Sequence, residues 1–175
     1  MSDSSEKLSG DYTFVHKGKD YNYLIGTHTI YPNVIDYTSD ENYILACQKP
    51  NKELYRSMLQ GDLWVDYVIY NSYMKDSTTE KYYKTRTEIL KDSTIFKIFK
   101  HRKVSFENSI EDIRKGEEIA DSIIENNPIH RKVFSNERTY WIISIKNDSL
   151  IGPLTKSEYL VGRKTLELPK DLELK

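Results

Sequence analysis

The sequence predicts an α+β fold: one domain with a mainly antiparallel sheet, packed against one long helix and edged by a short C-terminal helix. Three observations carry that reading. Apolar and polar residues alternate through short runs bounded by turn residues, among them "DYTFVH", "YNYLIG" and "TYWIISIK", as half-buried strands require. Tyrosine is in excess, 14 against 5 Phe and 2 Trp, and a ring with a hydroxyl tip suits a strand whose edge or face meets water. Around residue 110 the apolar period changes from two to that of a helix.

Residues 1–10 read as a flexible polar leader or tether, and residues 11–175 as the single domain. "DYTFVH" and "YNYLIG" form two strands joined at "GKD", with Tyr21 and Tyr23 on one face of the second. "YPNVIDY" and "YILACQKP" form a hairpin across the polar turn "TSDEN", and Pro50 ends it because proline donates nothing to a ladder. Alternation puts Tyr43, Leu45 and Cys47 on one face. "DLWVDYVIY", residues 62–70, reads as a further strand, with Leu63, Val65, Tyr67 and Ile69 opposite Asp62, Trp64, Asp66, Val68 and Tyr70.

From about 72 to 105 the chain is polar and partly helical, an excursion from the sheet. Thr78 or Thr79 is placed to cap one helix there, and Asp92 or Ser93 the next. A helix over 108–126 follows, with Ile110, Ile113, Ala120 and Ile124 near one stripe, a capping box at Asn108 and Glu111, and Pro128 beyond its end. "TYWIISIK" then alternates Tyr140, Ile142 and Ser144 against Trp141, Ile143 and Ile145. "NDS" turns the chain into a short strand, "LIGPL". Thr155 and Glu158 have capping-box spacing for a helix over 155–164 that docks through Tyr159, Leu160 and Val161.

Several function classes find no support. Lys plus Arg number 26 against 27 Asp plus Glu, a net charge of -1, which gives no global attraction for nucleic acid. The basic run "KIFKHRK" reads as a helix C-terminus complementing the dipole. One cysteine excludes an intramolecular disulfide, and Cys47 on an apolar strand face reads as core. There is no Gly-rich phosphate loop, no GxSxG and no HExxH, and the four histidines lack metal-ligand spacing. Asp62 and Asp66 on one strand would stand about 13 Å apart, too far for a glycosidase pair. No cofactor or metal is expected. No apolar run approaches the roughly 20 residues of a membrane-spanning helix.

"SGDYTFV", "NYLIG", "YPNVIDYTSDENYILACQ", "YWIISIKNDSLIGPLTKSEYLVGRK" and "LELPKDLEL" together resemble an uncharacterised family of small bacterial domains, many of them exported lipoproteins. The resemblance covers most of the chain outside 72–105 and brings no catalytic residues with it. It implies that Met1 stands in place of an anchoring cysteine and that "SDSSEKLSG" is a tether at the cell envelope. Without that anchor the domain is cytoplasmic.

The leading expectation is therefore a non-enzymatic, envelope-associated domain that binds a protein or glycan through an aromatic sheet face made of Tyr12, Tyr21, Tyr23, Trp64 and Tyr70. Rigid aromatic side chains lose little rotamer entropy on binding. Membrane contact would come only through the lipid anchor. One alternative is a cytoplasmic regulatory or immunity-type protein that masks a partner. Another is a hydrolase with a scattered Asp/His site drawn from Asp62, Asp66, His28, His101 and His130.

Overall fold

The structure, a computed structural model, describes residues 4–75, 98, 101–104 and 110–175. The fold is α+β, with two antiparallel sheets. Where the sequence suggested one domain, the chain divides into two compact units. One comprises Met1–Tyr55 with Asn126–Lys175, the other Arg56–Glu125.

The first unit carries both sheets. Strands β1 (Ser4–Lys7), β2 (Thr13–His16) and β3 (Asn22–Ile25) form one, in that order. Strands β4 (Val34–Ser39), β5 (Tyr43–Gln48), β6 (Thr139–Ser144) and β7 (Ser149–Leu154) form the other. Residues 4–7, assigned to the leader by their polarity, instead form an edge strand. Every β1 side chain is exposed, so no apolar alternation marks the strand that pairs with β2.

The four-stranded sheet is buried on both faces. On one, Leu45 and Ile142 lie opposite each other and pack with Tyr159, Leu168 and Leu172, and Leu166 and Leu174 join at the margin. On the other, Ile44, Ala46 and Ile143 have no exposed surface. There Gln48 is fully enclosed. Its side-chain Oε1 accepts from Thr139 Oγ1 and Trp141 Nε1, both at 2.9 Å, and its Nε2 donates to the Tyr31 carbonyl at 2.8 Å. A buried amide is tolerated only when so satisfied.

Helix α1 (Lys52–Lys75) corrects the strand expected at 62–70. Tyr55, Leu59 and Leu63 are all buried and follow one another at intervals of four, which is a helical stripe. That stripe outweighs the β-branched and aromatic content of "WVDYVIY", since propensity is the weaker signal. Asp62, Trp64, Asp66 and Tyr70 are thus helical residues. Helix α2 (Ile110–Asn126) matches the helix expected there and buries Ile119, Ala120 and Ile124. Ile110 and Ile113, placed on the same stripe by sequence, are exposed. Within the second unit Arg56 pairs with Asp121 at 3.2 Å, and Gln60 Nε2 donates to the Ile113 carbonyl at 3.0 Å. The cap residues named at 78, 79, 92, 93 and 108 lie outside the described residues.

Helix α3 (Pro128–Phe134) starts at an Asn127 cap. It brings His130 against Tyr55, whose hydroxyl lies 2.6 Å from His130 Nδ1, with Tyr31 and Phe134 rings alongside. Burial pushes the His130 pKa below its ordinary value of 6.5. The unfolded chain therefore takes up the proton first, so stability is full above about pH 6.5 and declines as pH falls below it. Melting temperature should drop between pH 7 and pH 5, and His130→Asn should flatten that slope. An unchanged slope would assign the effect elsewhere.

Helix α4 (Lys156–Thr165) has the capping box expected of it. Glu158 N donates to Thr155 Oγ1 at 3.3 Å, and Thr155 N donates to Glu158 Oε2 at 2.7 Å. That backbone bond, with Lys132 Nζ 3.0 Å away, pulls the Glu158 carboxyl down to about 2. The cap's ionic part thus persists above the ordinary carboxylate range and is lost as pH falls towards 2. Thr155→Ala is expected to cost about 1 kcal/mol in denaturant unfolding.

Candidate functional site: a pocket over the β4–β7 sheet

The register of the four-stranded sheet builds the pocket. Val34 pairs with Gln48 but Asp36 with Cys47, so Ile35 is the extra residue of a β-bulge. The bulge puts Asp36 on the same face as Cys47. Cys47 pairs in turn with Tyr140. The cross-strand row Asp36, Cys47, Tyr140 forms the floor of a cavity of about 300 Å³. Helix α4 forms one wall through Lys156, Tyr159, Leu160 and Arg163, which recur at the i, i+3, i+4 and i+7 spacing of one helix face. Glu173, Leu174 and Lys175 close another side, and Arg138 stands where the chain enters β6.

The wall is held rigidly. Tyr159 stacks on Tyr140 with ring centroids 5.0 Å apart. The Arg163 guanidinium sits 5.8 Å from the Tyr159 ring centroid, donates to its hydroxyl at 3.2 Å, and reaches the carbonyls of Leu172 at 2.5 Å and Pro169 at 3.0 Å. Arg163 is thus committed to fastening the C-terminal segment over the sheet. Asp36 is engaged as well, accepting the Lys175 backbone N–H.

Beside the Asp36 carboxylate, the two other floor groups are held in their neutral forms. Burial pushes the Cys47 thiol up, against the pull of Arg138, of the Tyr140 hydroxyl bonded to it, and of Lys156. Burial and the neighbouring thiol likewise push the Tyr140 phenol up. Both stay protonated at neutral pH. Arg138 and Lys156 are exposed, and among the described residues neither enters an ion pair.

The residues expected to form an aromatic face are dispersed. Tyr12 is 3% exposed, lies over Gly26, where an added Cβ would stand 2.4 Å from its ring, and accepts the His28 N–H at 3.3 Å. It is core. Tyr21 and Tyr23 do remain neighbours, centroids 5.8 Å apart, with the Lys17 ammonium 5.7 and 5.8 Å from the two rings. Trp64 is partly buried on α1 rather than on a sheet, and Tyr70 is on the same helix with its side chain outside the described residues.

The scattered Asp/His set contributes nothing to this pocket. His28 lies 2.9 Å from the Asp148 carbonyl, His16 is bonded to Asn22, and His130 to Tyr55. Among the described residues no group of three or more His, Cys, Asp and Glu could hold a metal ion, and no helix is long and apolar enough to cross a membrane. Comparison of the chain with protein-family models, with curated proteins and with solved structures finds no match.

Sequence reasoning missed Asp36, Arg138, Lys156 and Arg163. The helical spacing of Lys156, Tyr159, Leu160 and Arg163 was a usable signal, and alternation places Arg138 on the face of Tyr140. Asp36 needed the bulge, which no residue in "NVIDY" announces.

Proposed function

We propose that the protein is a non-enzymatic binding module that takes its ligand in the pocket over Cys47 and Tyr140. One observation carries the reading: a cavity of about 300 Å³ floored by Asp36, Cys47 and Tyr140, with the exposed cations Arg138 and Lys156 in no ion pair among the described residues, and with burial pushing the thiol and phenol towards their neutral forms. Neutral donors and fixed charges select and hold a ligand, whereas nucleophilic chemistry needs a thiolate or an adjacent base. A location at the cell envelope belongs to the same proposal. It is supported by the family resemblance and tested by comparing membrane and soluble fractions of the natively expressed protein.

The test of the pocket is a small-molecule screen by heteronuclear NMR on the full chain. Shift changes should gather at Cys47, Tyr140, Lys156 and Tyr159. Hits that map consistently elsewhere would overturn the reading. A disulfide reagent should label Cys47 slowly in the folded protein and quickly after denaturation, and rapid labelling when folded would favour a nucleophile instead.

A second reading retains part of the aromatic face, because the half-buried Tyr21 ring, backed by the buried Tyr23, lies 5.7 Å from the Lys17 ammonium. It predicts that Tyr21→Ala with Lys17→Ala abolishes capture of a protein or glycan partner while leaving the pocket's spectra unchanged.

A further inference from the structure

We infer that the pocket recognises a carboxylate attached to a short apolar group, with Arg138 and Lys156 holding the carboxylate and Ile35, Leu160 and Leu174 receiving the apolar part. This rests on the pocket being the binding site. The charges divide by their commitments. Arg163 is used up on Tyr159 and two backbone carbonyls, while Asp36 accepts the Lys175 amide through one oxygen and keeps its negative charge. Arg138, Lys156 and the Lys175 ammonium are the lining cations left over, in no ion pair among the described residues, and of these Arg138 and Lys156 flank Cys47 closely enough to act on its thiol.

A planar guanidinium and an ammonium on one pocket lining suit a carboxylate, which accepts two parallel N–H bonds from the one and a point charge from the other. Asp36 and Glu173 on the lining oppose any larger anionic charge, so a monoanion fits better than a phosphate ester.

An independent observation supplies the apolar half. Ile35 and Leu160 are 40% and 49% exposed, and both line this cavity. The bulge turns Ile35 out of the ladder, and Leu160 is on the α4 face that carries Lys156. Large aliphatic side chains left open on the same lining as cations with no ion pair among the described residues match an amphipathic ligand. The volume of about 300 Å³ is at the low end of small-molecule sites, which run from roughly 300 to 1,000 Å³. The ligand is therefore small, or is only the end of a longer chain such as a peptide C-terminus.

The experiment uses the full chain, with NMR and calorimetric titration at pH 7. Hexanoate is compared with hexanamide, and N-acetyl-leucine with its C-terminal amide. Each carboxylate should bind at the pocket about tenfold or more tightly than its amide, as lost charge-assisted hydrogen bonds imply. Tighter binding of N-acetyl-leucine than of hexanoate would assign the carboxylate to a peptide end, and the reverse to a free small acid. Arg138→Gln with Lys156→Gln should erase the difference between acid and amide. Both side chains are exposed, so melting temperature should hold, separating lost recognition from lost folding. Equal binding of acid and amide in the pocket would overturn the carboxylate inference and leave the pocket reading standing. Pocket binding by unrelated compounds, with none by either acid, would do the same. If nothing perturbs the pocket at all, both readings fall.

Discussion

Gln48→Leu is expected to lower stability by about 3 kcal/mol or more. Leucine fills much of the same space but leaves the Trp141 indole N–H, the Thr139 hydroxyl and the Tyr31 carbonyl without the partners they have now. Thr139 and Gln48 are wholly buried and Trp141 is 4% exposed, so water has little access to replace the lost bonds. Each unsatisfied buried group costs about 1–3 kcal/mol. At about 2–4 °C per kcal/mol for a chain of this length, the melting temperature should fall by roughly 6–12 °C. Adding Thr139→Val should restore part of the loss, because removing both partners of a buried hydrogen bond costs less than orphaning one. If Gln48→Leu melts with the parent protein, the network contributes nothing to stability.

Gly152→Ala should be comparably damaging for a different reason. Gly152 sits in the irregular stretch of β7, where the pairing shifts between Tyr140↔Leu154 and Ile142↔Ile151. Its φ is +150°, a conformation L side chains rarely adopt. A Cβ there would stand 2.4 Å from Trp141 Cε3 and 3.0 Å from the Tyr140 carbonyl oxygen. The indole cannot simply move aside, since its N–H is fixed to Gln48. Overpacking costs about 1–3 kcal/mol and the strained backbone a similar amount, so a loss of about 2–5 kcal/mol is expected in denaturant unfolding. Trp141→Phe in the same chain should recover some of the steric part. An alanine variant as stable as the parent would show that this turn of β7 relaxes freely.

Much of the sheet was legible because residues two apart share a face and the runs are bounded by turn residues, even though β5 and β6 are buried on both faces. Tyr43, Leu45 and Cys47 do share a face, as do Tyr140 and Ile142, and their cross-strand pairing follows. The α4 cap was legible because a capping box is local chemistry with a fixed spacing. Residues 62–70 were misread because their composition favours strands, while the evidence for a helix begins earlier, at Tyr55 and Leu59. The pocket was the least legible part. Its residues come from β4, β5, β6, α4 and the C-terminal segment. Only the pairing register, including a one-residue bulge at Ile35, brings Asp36, Cys47 and Tyr140 into line. Abundant tyrosine says nothing about direction: Tyr12 and Tyr23 are both buried, and Trp64 and Tyr70 stand on a helix rather than a sheet.

Gln48 and Thr139, bonded side chain to side chain, stand 91 residues apart in sequence, with the whole second unit between them. During synthesis, β4 and β5 must wait as a lone hairpin until that stretch has emerged and β6 follows it. A two-stranded hairpin is marginal in water, and closing a long loop carries an entropic cost that grows only slowly with length. Early formation of local structure in 56–125 would shorten the effective distance to be closed. The inserted unit would then help set the rate at which the sheet is completed, whatever it contributes to the finished molecule.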